Sequence, residues 1–191
     1  DGTLRQNMAE QNYLIIADGH WPEEEIWRPL VMNANHVVAC DGAAHQCLEN
    51  NVKMQTVIGD MDSLSKEIQS QIQREANVQF LRQDGQDEND LVKALKWVKN
   101  RSASAIEVIG IEGGDPAHQF AAVFALCEVP TNARLHTSKS TIELLSKEGY
   151  KNCSIEKNTL FSLFSIGGVE GIQITGAKWN LEDETLHPGT Q

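Results

Sequence analysis

The chain has 191 residues, of which 27 are acidic and 16 are basic, so its formal net charge is −11. Hydrophobic residues make up 40% of it, which is typical of an ordinary globular protein and not of a disordered one. Because lysine and arginine form no block, the chain is unsuited to a nucleic-acid backbone or an anionic membrane surface. A polyanionic ligand should therefore be small and should bring metal cations.

The cysteines and the first residues of the chain indicate where the protein works. Cys40, Cys47, Cys127 and Cys153 form no C-x-x-C pair, which favours reduced thiols over a disulfide framework or a zinc site. No apolar run approaches the roughly 20 residues of a membrane span, and residues 1–12 lack the features of a signal peptide. We expect a cytoplasmic protein with neither a nucleic acid nor a membrane as partner.

In the first two thirds of the chain, short β-branched runs alternate with longer amphipathic ones, which predicts a parallel sheet flanked by helices. The predicted strands are Tyr13–Ala17, His36–Cys40, Gln55–Ile58, Val78–Leu81 and Ala105–Ile109. The predicted helices are Ala43–Asn50, Lys66–Arg74, Asp90–Lys99 and Ala117–Leu126. In the third of these helices, Leu91, Ala94, Leu95 and Val98 share one face, and Asn89 can cap its start.

After about Val129 the pattern changes to short extended segments separated by glycine, asparagine and serine, which indicates a small antiparallel β domain. These segments are predicted at Ala133–His136, Lys157–Phe164, Gly171–Thr175 and Ala177–Leu181. The predicted fold class is therefore α/β: an N-terminal Rossmann-like parallel sheet with flanking helices, followed by a small C-terminal antiparallel β-sandwich. The predicted domains are residues 1–131 and residues 132–191.

Acidic residues follow the predicted strands at the edge where a doubly wound sheet binds its ligands. Asp18 follows the first strand, Asp41 the second, and Asp60 and Asp62 the third, while Asp90 opens a helix. Carboxylates so close repel one another unless a cation holds them, and Mg²⁺ commonly binds one or two carboxylates plus substrate phosphates. In a locally extended chain Asp60 and Asp62 project to the same side. Together, these five aspartates predict a magnesium site at this edge of the sheet, although each aspartate alone also suits a turn or a helix start.

A glycine pair, Gly113 and Gly114, leads from the fifth predicted strand into the last predicted helix. Backbone N–H groups in such a turn and at a helix N-terminus can receive a phosphate group. A plain strand-to-helix turn would use the same two residues. The pair by itself leaves both interpretations open.

Seven segments in a fixed order resemble the thiamine pyrophosphokinase family across nearly the whole chain: "IIADGHWP", "VVACDGAA", "IGDMDSLS", "GQDENDLVKAL", the Gly-Gly turn, "FSLFSI" and "GAKWNL". The most specific signal is "GDMDS" followed by D-x-x-D-hydrophobic-x-K, and G-x-K-W-x-L supports thiamine as the acceptor. The resemblance implies transfer of the pyrophosphoryl group of ATP to the thiamine hydroxyl, with Mg²⁺, giving thiamine diphosphate and AMP. It also implies a homodimer with its active sites between the α/β domain of one chain and the β domain of the other.

The resemblance further implies a role for individual residues. The catalytic residues would be Asp60, Asp62 and Asp90, which with Asp41 would also be the Mg²⁺ ligands. The ATP-binding residues would be Asp41, Gly42, Ser63, Asp87, Lys93, Gly113, Gly114 and His118. Gln86 would contact the thiamine pyrimidine, and Trp179 would stack on it from the second chain of the dimer. Lys93, one helical turn after Asp90, can reach phosphate oxygens or pair with an acid.

This chain departs from the family pattern after the two glycines, where the family has arginine, any residue, aspartate and histidine. Here "GGDPAH" puts Asp115 in place of the arginine and Ala117 in place of the aspartate, and it keeps His118. Arginine would neutralise phosphate through a bidentate contact, whereas Asp115 adds negative charge. In addition, Asp18 replaces an asparagine and Asn89 a hydroxyl residue.

The chain also ends before the serine-asparagine segment that commonly closes the family's β domain, so we expect the β-sandwich to lack its last strand or tail. Three functions therefore stay open from the sequence. The first is a thiamine pyrophosphokinase. The second is a catalytically impaired homologue that binds thiamine or a nucleotide, and the third is a pyrophosphokinase for a hydroxymethylpterin.

Overall fold

The structure is a computed structural model that describes residues 11–74, 77–83, 88–145 and 155–188. The strands are β1 Asn12–Ile16, β2 His36–Cys40, β3 Thr56–Gly59, β4 Gln79–Arg82, β5 Ala105–Ile109, β6 Ala133–His136, β7 Thr141–Glu143, β8 Val169–Ile174 and β9 Leu181–Leu186. The helices are α1 Glu24–Asn33, α2 Ala44–Glu49, α3 Lys66–Arg74, α4 Asp90–Lys99 and α5 Pro116–Glu128, and a short 3₁₀ turn, Asp41–Ala43, precedes α2.

The chain divides into two compact units, Asp1–Gly149 and Tyr150–Gln191. The described part of the larger unit holds a seven-stranded sheet in the order β4-β3-β2-β1-β5-β6-β7. Neighbouring strands from β4 to β6 run parallel, and β7 is antiparallel to β6. The described part of the smaller unit holds an antiparallel pair, β8 and β9. The predicted fold class, a helix-flanked parallel sheet plus a small antiparallel sheet, is confirmed.

The core of the larger unit lies on both faces of the central strands, which explains why those strands are nearly continuous apolar runs. Leu14, Ile15 and Ile16 of β1 are fully buried. The predicted apolar face of α4 packs into this core, and the Asn89 side chain caps that helix by accepting a hydrogen bond from Val92 N at 2.8 Å. The sheet therefore forms a rigid platform for the loops at its carboxyl edge.

Three elements of the larger unit differ from the sequence predictions: helix α1, strand β6 and strand β7, which was not predicted and pairs antiparallel with β6. Helix α1 was not predicted because Pro29, which lacks an N–H, lies inside it; the buried side chain of Trp27 anchors this helix instead. Strand β6 was expected in the β domain, but it pairs in parallel with β5 because Ala133 and Leu135 fill buried positions of the large sheet. The boundary between functional domains at residues 131 and 132 stays a prediction.

The smaller unit also differs from the predictions. Within residues 155–188, the predicted strand Lys157–Phe164 forms no ladder, and the strand predicted at Ala177–Leu181 begins only at Leu181 because the chain turns after Gly176. Strands β8 and β9 pair with shifts in register between Val169 and Ile174.

Two further observations concern the chain as a whole. Cys40, Cys47 and Cys127 carry free thiols, and Cys153 lies outside the described residues. No helix within the described ranges has the length and apolar character needed to cross a membrane.

Candidate functional site

Three carboxylates from separate loops come together at the carboxyl edge of the large sheet. Asp41 follows β2 in the 3₁₀ turn, Asp60 follows β3, and Asp90 begins α4. Burial raises the pKa of the Cys40 thiol at the end of β2, and the nearby charges of Asp90, Asp41 and Asp18 raise it further. The structure thus brings together residues that are up to 72 positions apart in the sequence, from Asp18 to Asp90.

Asp41 is the most constrained of these acids, with only 2% of the residue exposed. Its Oδ1 accepts a hydrogen bond from Gly42 N at 2.7 Å, and its Oδ2 accepts one from Met61 N at 2.8 Å. Burial and, next, the negative charge of Asp90 raise the pKa of Asp41 to about 6, although the two N–H donors act in the opposite direction. The free protein therefore holds a carboxylate here at an electrostatic cost that a cation would relieve.

The Asp60–Asp62 loop is a turn and not an extended segment. Met61 has φ +68°, and Asp60 Oδ1 accepts a hydrogen bond from Asp62 N at 2.9 Å. That hydrogen bond is the main cause of the lowered pKa of Asp60, to which Asp41, Lys93 and Arg82 also contribute. The expectation of an extended chain is therefore wrong at Met61, whose N–H bends toward Asp41. Asp62 and the following Ser63 are both exposed.

Two glycines let the carboxylates approach the backbone closely. A Cβ on Gly42 would overlap the carboxyl group of Asp18, and a Cβ on Gly59 would lie 2.6 Å from Asp41 Cγ. Real side chains do not tolerate such a distance, so both positions need glycine while these acids keep their places. The glycines of the "CDG" and "IGD" segments are thus required by packing as well as by turn geometry.

Lys93 brings a cation into the carboxylate cluster. It is 4% exposed, and its Nζ donates hydrogen bonds to Asp90 Oδ1 at 2.9 Å and to the Gln83 carbonyl at 3.3 Å. Burial alone would lower the pKa of Lys93, but the hydrogen bond that its ammonium donates to Asp90 and the charges of Asp90, Asp60 and Asp41 outweigh it and raise that pKa. Lys93 is therefore a fixed positive charge that faces three acids.

The cluster suits a hard divalent cation in its chemistry. Within the described ranges, no three histidine, cysteine, aspartate or glutamate side chains are placed so that they could hold a metal ion as they stand. Mg²⁺ does not need three, because it usually binds one or two carboxylates and completes its shell with substrate phosphates and water. Asp41, Asp60 and Asp90, the predicted Mg²⁺ ligands, carry carboxylate oxygens of this kind, and their role as metal ligands stays a prediction.

The glycine turn before α5 holds the second group of predicted site residues. Gly113 and Gly114 have φ values of +79° and +66°, which bend the chain into the helix N-terminus. Asp115 is the N-cap of α5, and its Oδ1 accepts a hydrogen bond from Ala117 N at 2.9 Å. The carboxylate of Asp115 is thus directed at its own helix. His118 lies exposed in the first turn of that helix.

The loop after β1 contacts the glycine turn, a feature that the sequence did not reveal. Gly19 N donates to the Gly110 carbonyl and His20 N to the Glu112 carbonyl, both at 2.6 Å. The His20 ring lies against Gly113, where a Cβ would overlap Nδ1 and lie 2.6 Å from Cγ. The segment "IIADGHWP" contributes to the family resemblance, but nothing in its sequence assigns a role to this histidine.

The predicted thiamine-binding residues are less fully described. Gln86 and the predicted ATP-binding residue Asp87 lie outside the described residues. Trp179, in the smaller unit, is 74% exposed, and the Lys178 Nζ atom lies 4.3 Å from the centroid of its ring. The indole face is thus available in this unit and already attracts a cation.

Two family models match the chain in succession. The model described as thiamin pyrophosphokinase, catalytic domain, matches residues 27–137. The chain belongs to the thiamin pyrophosphokinase family. The model described as thiamin pyrophosphokinase, vitamin B1 binding domain, matches residues 139–191. Membership in this family supports a kinase-type transferase, and it places the carboxylate cluster within the catalytic-domain match.

Solved structures of the family share the fold. Thiamine pyrophosphokinase from Bacillus subtilis superposes with a TM-score of 0.75 at 19% identity, over 94% of this chain and 86% of that one. A thiamin pyrophosphokinase family protein from Enterococcus faecalis gives 0.70 at 22% identity, with the same two coverages. The yeast enzyme gives 0.54 at 17% identity, over 69% of this chain and 60% of that one. No curated protein sequence matches the chain.

Proposed function

We propose that the protein transfers the pyrophosphoryl group of ATP to the hydroxyl of thiamine. The hydroxyl oxygen bonds to the β-phosphorus, the bond from that phosphorus to the α,β-bridging oxygen breaks, AMP leaves, and the hydroxyl proton is released. The observation that carries this proposal is the cluster of Asp41, Asp60 and Asp90 around buried Lys93, inside the residues that match the family's catalytic domain.

Transfer of a pyrophosphoryl group asks a protein mainly for alignment and charge neutralisation. Asp41, Asp60, Asp62 and Asp90 would hold Mg²⁺, which when bound supplies positive charge to the phosphates. Lys93 adds a second, permanent positive charge, since Asp90 and the Gln83 carbonyl fix its ammonium group in place. A buried ammonium that is already oriented needs little reorganisation when a polyphosphate binds, and for that reason it suits an ATP site.

For the rest of the nucleotide site we propose Gly42, Ser63, Asp87, Gly113, Gly114 and His118. For thiamine we propose Gln86 and Trp179. An aromatic face attracts a cationic ligand such as the thiazolium ring by about 0.5–2 kcal/mol, depending on how far the pair is desolvated. The exposed ring of Trp179 offers that face, and Lys178 would have to move aside for the ligand.

We also propose that the protein works as a cytoplasmic homodimer. Phe120 and Phe124 lie one helical turn apart on α5 and are 68% and 52% exposed. Two phenylalanines on one exposed helix face are the kind of apolar patch that another protein surface usually covers. A second copy of the chain is the partner that the family resemblance implies.

A homologue that binds ligands without turnover is the second candidate, favoured by Asp115. The resemblance puts this residue where the family has a phosphate-neutralising arginine, and its carboxylate is used as a helix cap. Titration calorimetry with ATP, Mg²⁺ and thiamine, run beside an assay for AMP release, separates the two candidates. Binding together with AMP release supports the kinase, whereas binding without AMP release supports the impaired homologue.

A further inference from the structure

The loop after β1 holds a histidine at the point of the sheet where α/β proteins bind ligands. Strand order decreases from β4 to β1 and then continues with β5, so β1 and β5 flank the topological switch point. Ala17, Gly19 and His20 each donate a backbone hydrogen bond across this point, to the carbonyls of Ile109, Gly110 and Glu112. The backbone of His20 is thereby fixed opposite the glycine turn.

The His20 side chain is free to take a ligand. The residue is exposed, and its imidazole makes no hydrogen bond within the part of the chain that the structure describes. The ring lies against the backbone of Gly113, which has no Cβ to displace it. Gly113 and Gly114 turn directly into α5, a helix of 13 residues whose N-terminus favours anions. An imidazole N–H is therefore held beside a turn suited to phosphate.

The same turn carries no cationic side chain, because residues 113–117 are Gly-Gly-Asp-Pro-Ala. Asp115 adds a negative charge, and its carboxylate accepts the N–H of Ala117, which removes one helix donor from any ligand. Ala117 adds no polar side chain. The described acids Asp18, Asp41, Asp60, Asp62 and Asp90 lie along the same edge, so a phosphate near Gly113 needs a donor from another element.

We propose that His20 is a phosphate-binding residue of the nucleotide site. Its imidazole, in the loop after β1, would donate a hydrogen bond to phosphate, which the Asp115 carboxylate, in the loop after β5, cannot do. This inference rests on the proposed function, because it assumes that a nucleotide polyphosphate occupies the switch point. A hydrogen bond to a charged group typically changes affinity by roughly 10- to 100-fold. His20 acts in ATP binding and not in thiamine binding.

The test compares two side chains of similar size in place of the imidazole. His20→Leu removes the donor and His20→Gln keeps an N–H, while Glu23→Gln, at an exposed residue of the same loop whose side chain makes no cap bond, is the control. Each full-length variant is titrated with ATP in the presence of Mg²⁺ and with adenosine, and its melting temperature is recorded. We expect roughly 10- to 100-fold weaker ATP binding for His20→Leu, unchanged adenosine binding, and near wild-type ATP binding for His20→Gln and Glu23→Gln.

Other results would overturn the inference. Equal ATP affinity of wild type and His20→Leu would mean that the ring does not touch phosphate. If His20→Leu weakened ATP and adenosine binding equally, the imidazole would only pack on Gly113. The same conclusion would follow if His20→Gln bound ATP as weakly as His20→Leu. Wild-type protein that binds ATP but releases no AMP would refute the proposed reaction and leave the role of His20 intact, while absence of ATP binding would refute both.

Discussion

At the scale of single residues, Asp60 and Asp62 test whether the carboxylate cluster serves a ligand or the fold. Asp60→Asn and Asp62→Asn each remove one negative charge from the carboxylate cluster and keep the side-chain shape. We expect AMP release to fall at least roughly 100-fold while both variants still fold. With a chelator present, the melting temperature should change little, and Asp60→Asn should be slightly lower because the Asp62 N–H stabilises the Asp60 carboxylate. Glu49→Gln, at an exposed acid that ends α2, should alter neither quantity. A variant that fails to fold would show instead that these aspartates are structural.

Asp41 gives the metal-free protein a pH dependence of known sign. Its pKa is about 6 in the folded protein against an ordinary 3.8, so the folded state binds this proton more tightly than the unfolded chain does. The stability associated with the protonated group is complete below about pH 4 and is lost as the pH rises through 6. Each pKa unit corresponds to ~1.4 kcal/mol, so the loss is on the order of 1–3 kcal/mol.

Urea denaturation of wild type and Asp41→Asn with a chelator measures this effect. The stability advantage of Asp41→Asn should be larger near neutral pH than at about pH 4, because only the wild type carries the costly charge. An advantage that does not change with pH would mean that the Asp41 carboxylate is well compensated in the folded protein.

Sequence reasoning reached some residues of the site and not others, for a physical reason. Asp41, Asp60 and Asp90 follow strands or open a helix, and parallel strands bring such positions to one edge whatever the side chains do. The orientation of Asp115 and the contact of His20 with Gly113 depend instead on loop conformation. No periodicity in the sequence encodes either of them.

At the scale of secondary-structure elements, Asp115 is expected to stabilise α5. Its Oδ1 accepts the Ala117 N–H at 2.9 Å as the helix cap. Asp115→Ala should lower the free energy of unfolding by about 0.5–2 kcal/mol, whereas Asp115→Asn, which can still accept that hydrogen bond, should change it little. Chemical denaturation at low ionic strength compares the two. Equal stability of Asp115→Ala and wild type would mean that the cap contributes nothing.

The elements that escaped prediction share a dependence on tertiary contacts. Pro29 argues locally against a helix at α1, but Trp27 buries its side chain and holds the helix against the sheet. The sequence of strand β6 predicts a short extended segment like those that follow it. Only its pairing with β5 assigns it to the large sheet. By contrast, α4 was predicted correctly because its apolar spacing and its asparagine cap are both local signals.

At the scale of the whole molecule, the exposed phenylalanines of α5 test the proposed homodimer. Phe124→Lys places a charge in the centre of that patch, and we expect it to shift the protein from dimer to monomer. Met32→Lys, at an apolar residue of α1 that is 78% exposed, should leave the dimer intact. Sedimentation equilibrium gives the mass of each. A monomeric wild type, or a dimer that survives Phe124→Lys, would contradict the assignment of this patch to the interface.

The proposed reaction is tested most directly by following AMP release from ATP and Mg²⁺ with thiamine and with a hydroxymethylpterin as parallel acceptors. We expect AMP and thiamine diphosphate to appear in equal amounts with thiamine, no AMP with the pterin, and almost none with Asp60→Asn. Wild-type protein that releases no AMP above background with thiamine, or releases it only with the pterin, would contradict the proposal.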